Sequence, residues 1–197
     1  KVGPDYLPGH GHADTLSMEF SLFGQRVFVN GGTSEYGDTD IRIFERGTSS
    51  HNTVQIDGQN SSEVWRSFRV ARRAYPFGLK IEENLNSLCV RAAHDGYHRL
   101  KGRPTHWRDW RLDSDGFEIF DRVDGSYKLA VARFLLHPNI KAVYVNTKCW
   151  ELILPNNRKV LLRIILGKAR LNSGFYSFEF GKRLLTSCLE VELASSG

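Results

Sequence analysis

Histidines and a carboxylate recur at alternate positions near the start of the chain, in the run His10-Gly11-His12-Ala13-Asp14. If this run is a strand, His10, His12 and Asp14 project to one face, because side chains on a strand repeat every two residues. Two imidazoles and a carboxylate on one face can bind a metal ion or transfer protons. Polar histidines are also common in loops, so the run alone leaves a purely structural role open.

Two further segments carry residue types that suit a ligand site. Residues 28–33, Phe-Val-Asn-Gly-Gly-Thr, read as an apolar strand that ends in Asn30 and a glycine pair, where the backbone can approach a ligand or simply turn. His51 precedes a predicted strand over 52–56, and by strand parity it faces away from the inward-pointing residues of that strand. It can therefore meet His12 only at the mouth of the strand, and the spacing leaves open whether the two share a site.

Basic residues are concentrated in two stretches. The first places four arginines within eight residues, interleaved with Trp65 and Phe68, and they are Arg66, Arg69, Arg72 and Arg73. The second, residues 91–111, holds six Lys or Arg against two Asp. Arginine binds carboxylate and sulfate groups bidentately, and aromatic rings stack on sugars or bases. A solvated strand face with arginines packed on aromatic rings is an equally good interpretation.

The elements that must position these residues are predicted to be strands of one domain. The 197 residues are 41% hydrophobic and 25% charged, with apolar residues along the whole length, which excludes a disordered chain. Period-two alternation, as in residues 16–22, and turn pairs such as Asp57-Gly58 divide the chain into about a dozen short strands, among them residues 64–74 and 175–180. We therefore expect an all-β fold, a large antiparallel β-sandwich that occupies residues 1–197 as a single domain.

Several classes of function find no support in the sequence. No apolar run approaches the roughly 18–20 residues of a membrane span. The net charge of +5 favours anionic partners, but no helix-turn-helix, zinc-finger or aromatic RNA-binding pattern accompanies it, so nucleic acid is not an expected partner. Nucleophile elbows, phosphate-binding loops and HExxH motifs are also absent. The three cysteines are widely spaced without a CxxC pair and are expected to be small buried apolar residues.

An ordered series of motifs along the chain resembles one known family. The series begins with Gly-Pro-Asp-Tyr-Leu-Pro-Gly-His-Gly-His-Ala-Asp-Thr-Leu-Ser at 3–17, followed by Val-Asn-Gly-Gly-Thr at 29–33, Ser-His-Asn-Thr-Val at 50–54 and Asp-Gly-Gln-Asn-Ser-Ser-Glu-Val-Trp at 57–65. It continues with His-Asp-Gly-Tyr at 94–97, Arg-Phe-Leu-Leu-His-Pro at 133–138 and Phe-Glu-Phe-Gly at 178–181. Together these motifs resemble the C-terminal β-sandwich domain of heparinase II/III-like polysaccharide lyases.

The resemblance implies an activity and a missing domain. Family members join an N-terminal α/α-toroid to this sandwich, and they cleave uronic-acid polysaccharides by β-elimination in the cleft between the two. The reaction must neutralise the C6 carboxylate, abstract the C5 proton and protonate the leaving oxygen. The toroid usually carries the proton-transferring Tyr. The chain begins at Lys1 without a Met, so we expect a fragment that is inactive alone and whose partners are an anionic polysaccharide and its own toroid, in the periplasm or outside the cell.

The resemblance also implies roles for individual residues. His10 resembles the family's cleft histidine, and His12 and His51 resemble two ligands of a structural metal ion, commonly zinc. The sequence departs from the family at Asn30, where members that bind the metal have Asp, and an amide oxygen is a neutral and poorer zinc ligand. Three outcomes stay open: a weaker metal site, a site completed by water or by a carboxylate such as Asp14, and a hydrogen-bond network without metal.

The arginines of residues 64–74 would, on the same resemblance, attract uronate or sulfate groups. A different function is also compatible with the sequence. Asn30 and the missing toroid suit a non-catalytic carbohydrate-binding or structural module of an envelope-polysaccharide protein. The sequence does not name the polysaccharide in either case.

Overall fold

The computed structural model describes residues 2–66 and 68–194. The fold is all-β as predicted, with 48% of the residues in strands and 5% in helices. The strands are β1 (Phe20–Leu22), β2 (Gln25–Phe28), β3 (Val54–Ile56), β4 (Val64–Trp65), β5 (Arg69–Val70), β6 (Pro76–Asn84), β7 (Ser87–His94), β8 (Thr105–Asp113), β9 (Phe117–Asp124), β10 (Ala130–Leu135), β11 (Lys141–Asn146), β12 (Cys149–Ile153), β13 (Lys159–Arg163), β14 (Lys168–Tyr176) and β15 (Leu184–Glu192).

Two four-stranded antiparallel sheets form the body of the sandwich. One has the order β14-β15-β10-β3 and the other has the order β6-β7-β8-β9. A three-stranded sheet, β11-β12-β13, and two hairpins, β1-β2 and β4-β5, complete the fold. The largest apolar core joins these sheets, since it contains Ile56 of β3, Val123 of β9, Trp150 of β12 and Leu189 of β15. This burial of aliphatic and aromatic surface is the main driving force of the fold.

The described chain contains two short helical elements that the alternating pattern did not predict, an α-helix and the 3₁₀ turn Thr48–Ser50. Helix α1 (Asp40–Arg46) begins after Thr39, whose Oγ1 accepts a hydrogen bond from the backbone N–H of Arg42 at 3.1 Å. Its buried residues are all charged: Arg42, Glu45 and Arg46. A helix of this length with a charged buried face has no apolar periodicity, so hydrophobic patterning cannot detect it.

Three predicted strands, and the strand considered for residues 10–14, differ from the observed structure. Residues 10–14 form a loop instead of a strand, so His10, His12 and Asp14 do not share one strand face. Within residues 16–22 only Phe20–Leu22 is a strand, because Leu16 has a positive φ of 61° that ends extended backbone. Residues 64–74, expected to be one strand, form the β4-β5 hairpin, and the expected strand over 175–180 is instead the end of β14. Local turns override the alternation at each of these places.

The three cysteines are free thiols, and burial raises the pKa of Cys188 to about 11. Cys89 and Cys149 are half-buried, which is more exposed than expected. Among the described residues, no helix has the length and apolar character that crossing a membrane requires.

A buried polar network crosses the inner face of the β6-β7-β8-β9 sheet. The guanidinium of Arg108 donates to both oxygens of Asp121 at 2.7 and 2.9 Å, and both side chains are almost fully buried. His106 Nε2 lies 2.7 Å from the same carboxylate, and His106 Nδ1 lies 3.2 Å from His94 Nε2. Burial acts to raise the pKa of Asp121, but the charge of Arg108 and these hydrogen bonds outweigh it and hold that pKa well below its usual range.

Replacing Asp121 by Asn tests whether this network stabilises the sheet. Because Arg108 would keep its charge in a buried position without a counter-charge, we expect the free energy of unfolding in urea to fall by about 3–5 kcal/mol. The matched control is Asp109→Asn, since Asp109 pairs with Arg91 on the exposed face of the same sheet, where the Arg91 side chain is 55% exposed. A surface pair of this kind contributes about 1 kcal/mol or less. Equal losses for the two variants would contradict the assignment.

Candidate functional site

A cavity opens beside the exposed ring of His10. It has a volume of about 540 Å³ and is lined by Leu7, Pro8, Gly9, His10, Trp65, Phe68, Arg69 and Val70. The His10 ring meets Tyr36 and Phe68 edge-on, with ring centroids 5.3 and 5.2 Å apart. Phe180 packs against Tyr36, with ring centroids 5.0 Å apart. The loop that carries His10 and the β4-β5 hairpin therefore form an exposed aromatic surface with one imidazole at its centre.

His12 turns away from this surface and meets His51 beneath it. His12 Nδ1 lies 3.3 Å from His51 Nε2, and His51 Nδ1 lies 2.8 Å from the amide oxygen of Asn30. His51 directly follows a 3₁₀ turn, Thr48–Ser50, and lies three residues before β3, outside the strand. The structure thus brings together His12, Asn30 and His51, whereas the exposed ring of His10 lies against Tyr36 and Phe68.

The glycine pair after Asn30 explains how the three residues come so close. A Cβ at Gly31 would lie 2.6 Å from the carbonyl oxygen of Ser50, and a Cβ at Gly32, whose φ is +78°, would lie 2.0 Å from that of Ser177. Side chains at these positions would push the two backbones apart. Gly31 therefore allows close packing of the strand exit against the segment before His51, and Gly32 allows close packing against Ser177 after β14.

Arg42 of α1 completes the buried cluster. Its Nη1 lies 3.2 Å from His12 Nε2 and donates to Thr33 Oγ1 at 3.1 Å, and the residue is 1% exposed. A guanidinium can only donate. Hydrogen bonds consequently run in one direction through the cluster, from Arg42 to His12, from His12 to His51 and from His51 to Asn30. This assignment fixes one tautomer for each ring.

Both rings are neutral at physiological pH. Burial, followed by the charges of Arg42 and Arg46, lowers the pKa of His12 to about 4. Burial and the neighbouring His12 ring lower the pKa of His51 to about 3. The pair therefore acts as a neutral hydrogen-bonding unit and does not exchange protons with solvent near pH 7.

A second buried arginine ties the two walls of the cavity together. Arg46 donates through Nε and Nη2 to the carbonyl oxygen of Gly11, at 3.2 and 3.1 Å, and through Nη1 to that of Arg66 at 3.0 Å. Gly11 belongs to the histidine loop and Arg66 to the turn between β4 and β5. Burial and the charge of Arg42 lower the pKa of Arg46 to about 10, so it stays charged at neutral pH.

The four arginines predicted to bind substrate occupy two kinds of position. Arg66 and Arg69 are exposed, and Arg69 lines the cavity beside His10. Arg72 is exposed but forms a bidentate pair with Glu63 at 2.6 and 2.8 Å. The side chain of Arg73 is only 12% exposed and donates to three carbonyl oxygens of residues 2–4, at 3.1 to 3.3 Å, and to the carboxylate of Asp5 at 2.6 Å.

These donors do not make a complete zinc site. Structural zinc is held by four ligands from Cys, His and carboxylates. The cluster offers two imidazoles. The lone pair of His51 Nε2 already accepts a hydrogen bond from His12 Nδ1. The amide oxygen of Asn30 lies beside Nδ1, the other nitrogen of the His51 ring. Within residues 2–66 and 68–194, no three His, Cys, Asp or Glu side chains are placed to share a metal ion, so Asp14 does not complete the set.

Metal content of the purified chain tests this arrangement. We expect well under one zinc per chain by elemental analysis, and a melting temperature that neither EDTA nor added zinc changes. His12→Ala should lower the free energy of unfolding by about 1–3 kcal/mol, because the buried donors and acceptors of Arg42 and His51 lose their partner. This loss should be the same with and without EDTA. Stoichiometric zinc whose removal lowers the melting temperature by several degrees would contradict the network.

Several site residues were not predicted from the sequence. Tyr36 has no neighbours in the sequence that suggest a site, and Phe180 belongs to the 178–181 motif but was not assigned to one. Only the fold brings Tyr36 to His10 and Phe180 to Tyr36. Arg42 and Arg46 lie on a helix that patterning does not detect. The spacing of four residues between them, which places both on one helix face, is the only sequence signal that they offered.

The chain is similar to a known protein family and to several solved structures. The family model described as "Heparinase II/III-like, C-terminal" matches residues 1–194. The heparan sulfate lyase HepC from Pedobacter heparinus superposes with a TM-score of 0.74 at 18% identity, over 95% of this chain and 29% of that chain, and a mutant of HepC gives 0.76 at 17% identity over the same shares. The heparinase III BT4657 gene product gives 0.74 at 18% identity, over 95% of this chain and 28% of its own.

The chain therefore spans less than a third of the length of the solved lyases that it matches. A search of the curated proteins finds no match. The solved structures share the fold at low identity, while the family model covers nearly every residue and includes the His10 loop, Asn30 and His51. The chain belongs to the heparinase II/III-like family, and its residues 1–194 correspond to the C-terminal domain of that family.

Proposed function

We propose that this chain is the β-sandwich half of a polysaccharide lyase that cleaves a uronic-acid-containing anionic polysaccharide by β-elimination. One observation carries the proposal: His10 is exposed on an aromatic cavity wall that also presents Arg69. Family membership supports it, since the solved relatives include heparan sulfate lyases. In this proposal the toroid forms the opposite wall of the cleft and belongs to the rest of a longer chain.

His10 has the contacts of a substrate-facing group. Its ring is held between Tyr36 and Phe68 by edge contacts, which fix the plane of the imidazole but leave it exposed. A ring held in this way can donate a hydrogen bond to a uronate carboxylate, which withdraws electrons from C5 and favours loss of its proton. We assign His10 to substrate binding and polarisation, and we assign abstraction of the C5 proton to a Tyr of the toroid.

The arginines divide into binding and positioning roles in this proposal. Arg66 and Arg69 are assigned to attraction of uronate or sulfate groups, because both are exposed at the turn and strand that line the cavity. Arg73 is assigned to positioning, because its guanidinium holds residues 2–5, which lead into the loop of His10. Arg72 contributes positive charge at the rim, partly neutralised by Glu63.

The buried cluster is proposed to support the site from below. His12, His51 and Asn30 connect the His10 loop, the exit of β2 and the segment before β3, so they hold the loop geometry on which the cavity depends. The donor set favours a hydrogen-bonded framework over a zinc centre at this place. A lyase of this type meets its polymeric substrate outside the cytoplasm, and we propose a periplasmic or extracellular location.

A non-catalytic carbohydrate-binding or structural module is the alternative function. Asn30 favours it, because this chain lacks the carboxylate found in family members that bind the metal. The two functions differ in what the rest of the longer chain contains. A toroid with a Tyr and an Asn or His facing the cleft supports the lyase, and its absence supports the module.

Activity of the longer chain that includes the toroid tests the proposal. Wild type should convert a uronate polysaccharide into unsaturated products, detected by their ultraviolet absorbance, and His10→Ala should lower kcat by about 100-fold or more. The matched control is His137→Ala, which removes an imidazole packed on Tyr176 and should leave kcat unchanged.

Two results would contradict the proposal. One is a longer chain that binds polysaccharide but forms no unsaturated product from sulfated glycosaminoglycans, alginate or capsule-type polymers, which is the result expected of a module. The other is release of unsaturated product by residues 1–197 alone, because it would place the base in this chain and not in the toroid.

A further inference from the structure

Strand β6 is an open edge of its sheet. Its neighbour in the β6-β7-β8-β9 order is β7, and all nine of its residues, Pro76–Asn84, are exposed. After a bulge between Phe77 and Lys80, which contains Gly78 with a φ of +65°, residues 80–84 of the strand pair regularly with β7. A long edge strand of this kind presents unpaired backbone groups that can pair with another strand.

The inner face of the sheet is uncovered next to this edge. Ile81 pairs with Val90 of β7, which shares a face with the fully buried His94, so Ile81 points to the core side of the sheet, and Leu79 precedes it at the bulge. Leu79 is nevertheless 68% exposed and Ile81 60% exposed. Leu88 of β7 lies on the same face with 37% exposure, and the exposed Glu83, which pairs with Leu88, lies there too. The described part of the chain therefore leaves a mainly apolar strip with one carboxylate accessible to a partner.

The charges of β6 are complementary to a second copy of the same strand. Lys80 and Glu82 point to the outer face, on either side of Ile81. In an antiparallel pair centred on Ile81, each Lys80 lies opposite the partner's Glu82, and opposite charges directly across a strand pair are stabilising. Two neighbouring registers, centred on Lys80 or on Glu82, also keep equivalent faces of the two sheets together. The first places Lys80 opposite the partner's Lys80, and the second places Glu82 opposite the partner's Glu82. Like charges on the symmetry axis disfavour both of these registers.

We propose that two copies of this chain associate through antiparallel pairing of their β6 strands about Ile81, which joins the two four-stranded sheets into one continuous sheet. The twofold axis places Ile81 of one copy directly opposite Ile81 of the other, and Leu79 of each copy diagonal to the partner's Ile81 and opposite its Glu83. The exposed apolar surface around Ile81 is thereby covered in both copies. The pairing also satisfies the open backbone edge in each copy. This interface is separate from the His10 cavity, so the proposal does not depend on the proposed function.

A charge-swap series tests the interface and its register together. Residues 1–197 should be dimeric in sedimentation-velocity experiments at micromolar concentration. Lys80→Glu and Glu82→Lys should each weaken dimerisation about tenfold or more, because each creates two like-charged pairs across the axis. The double variant Lys80→Glu/Glu82→Lys restores opposite charges at both pairs and should restore the dimer.

Lys159→Glu is the matched control, since Lys159 forms a comparable exposed pair with Glu151 on the three-stranded sheet, 3.0 Å apart. It should leave the dimer unchanged, and the melting temperature of every variant confirms that it is folded. A wild-type chain that stays monomeric, or a dimer that the single swaps do not weaken, would overturn the proposal. So would a longer chain that stays monomeric while residues 1–197 dimerise, because another part of that chain would then cover β6.

Discussion

The side-chain amide of Asn52 joins the segments from which the candidate site is built. Its Nδ2 donates to the carbonyl oxygens of Met18 and Val29 at 2.8 and 3.0 Å, and its Oδ1 accepts from the backbone N–H of Leu135 at 2.6 Å. The residue is fully buried, so each of these bonds replaces water that the folded chain excludes. Because Asn52 follows His51 and Val29 precedes Asn30, the same amide brings the His51 ring to the Asn30 oxygen.

Buried arginines extend this polar framework beneath the cavity. Arg42, Arg46 and Arg108 are each 1% exposed or less, and Arg46 and Arg108 bond mainly to backbone carbonyls and to one carboxylate. A buried guanidinium must satisfy its donors in fixed directions, so it sets the distance between the loops that it joins. The apolar cores stabilise the sandwich as a whole, whereas these arginines give the His10 loop one defined position above it.

The sequence contained the fold class and the residue types of the site but not its arrangement. Alternation predicted the all-β sandwich, because most strands bury one face. It failed at residues 10–14 and 64–74, where turns override the pattern, and at α1, whose buried face is charged. The contact between His12 and His51 joins residues 39 apart, and no local pattern encodes it. The sequence also did not reveal the role of Asn30, because only the fold places its amide oxygen beside Nδ1 of His51.

We propose that the aromatic surface around His10 binds an anionic polysaccharide. The most direct measurement is a titration of isotope-labelled residues 1–197 with a heparan sulfate oligosaccharide, and with an alginate oligosaccharide in parallel, followed by amide and histidine ring chemical shifts. We expect at least one oligosaccharide to shift the resonances of the His10 ring and the Phe68 and Arg69 amides, while those of the buried His94 and His106 rings stay unchanged. Shifts confined to residues 91–111, or no shifts with either oligosaccharide, would contradict it.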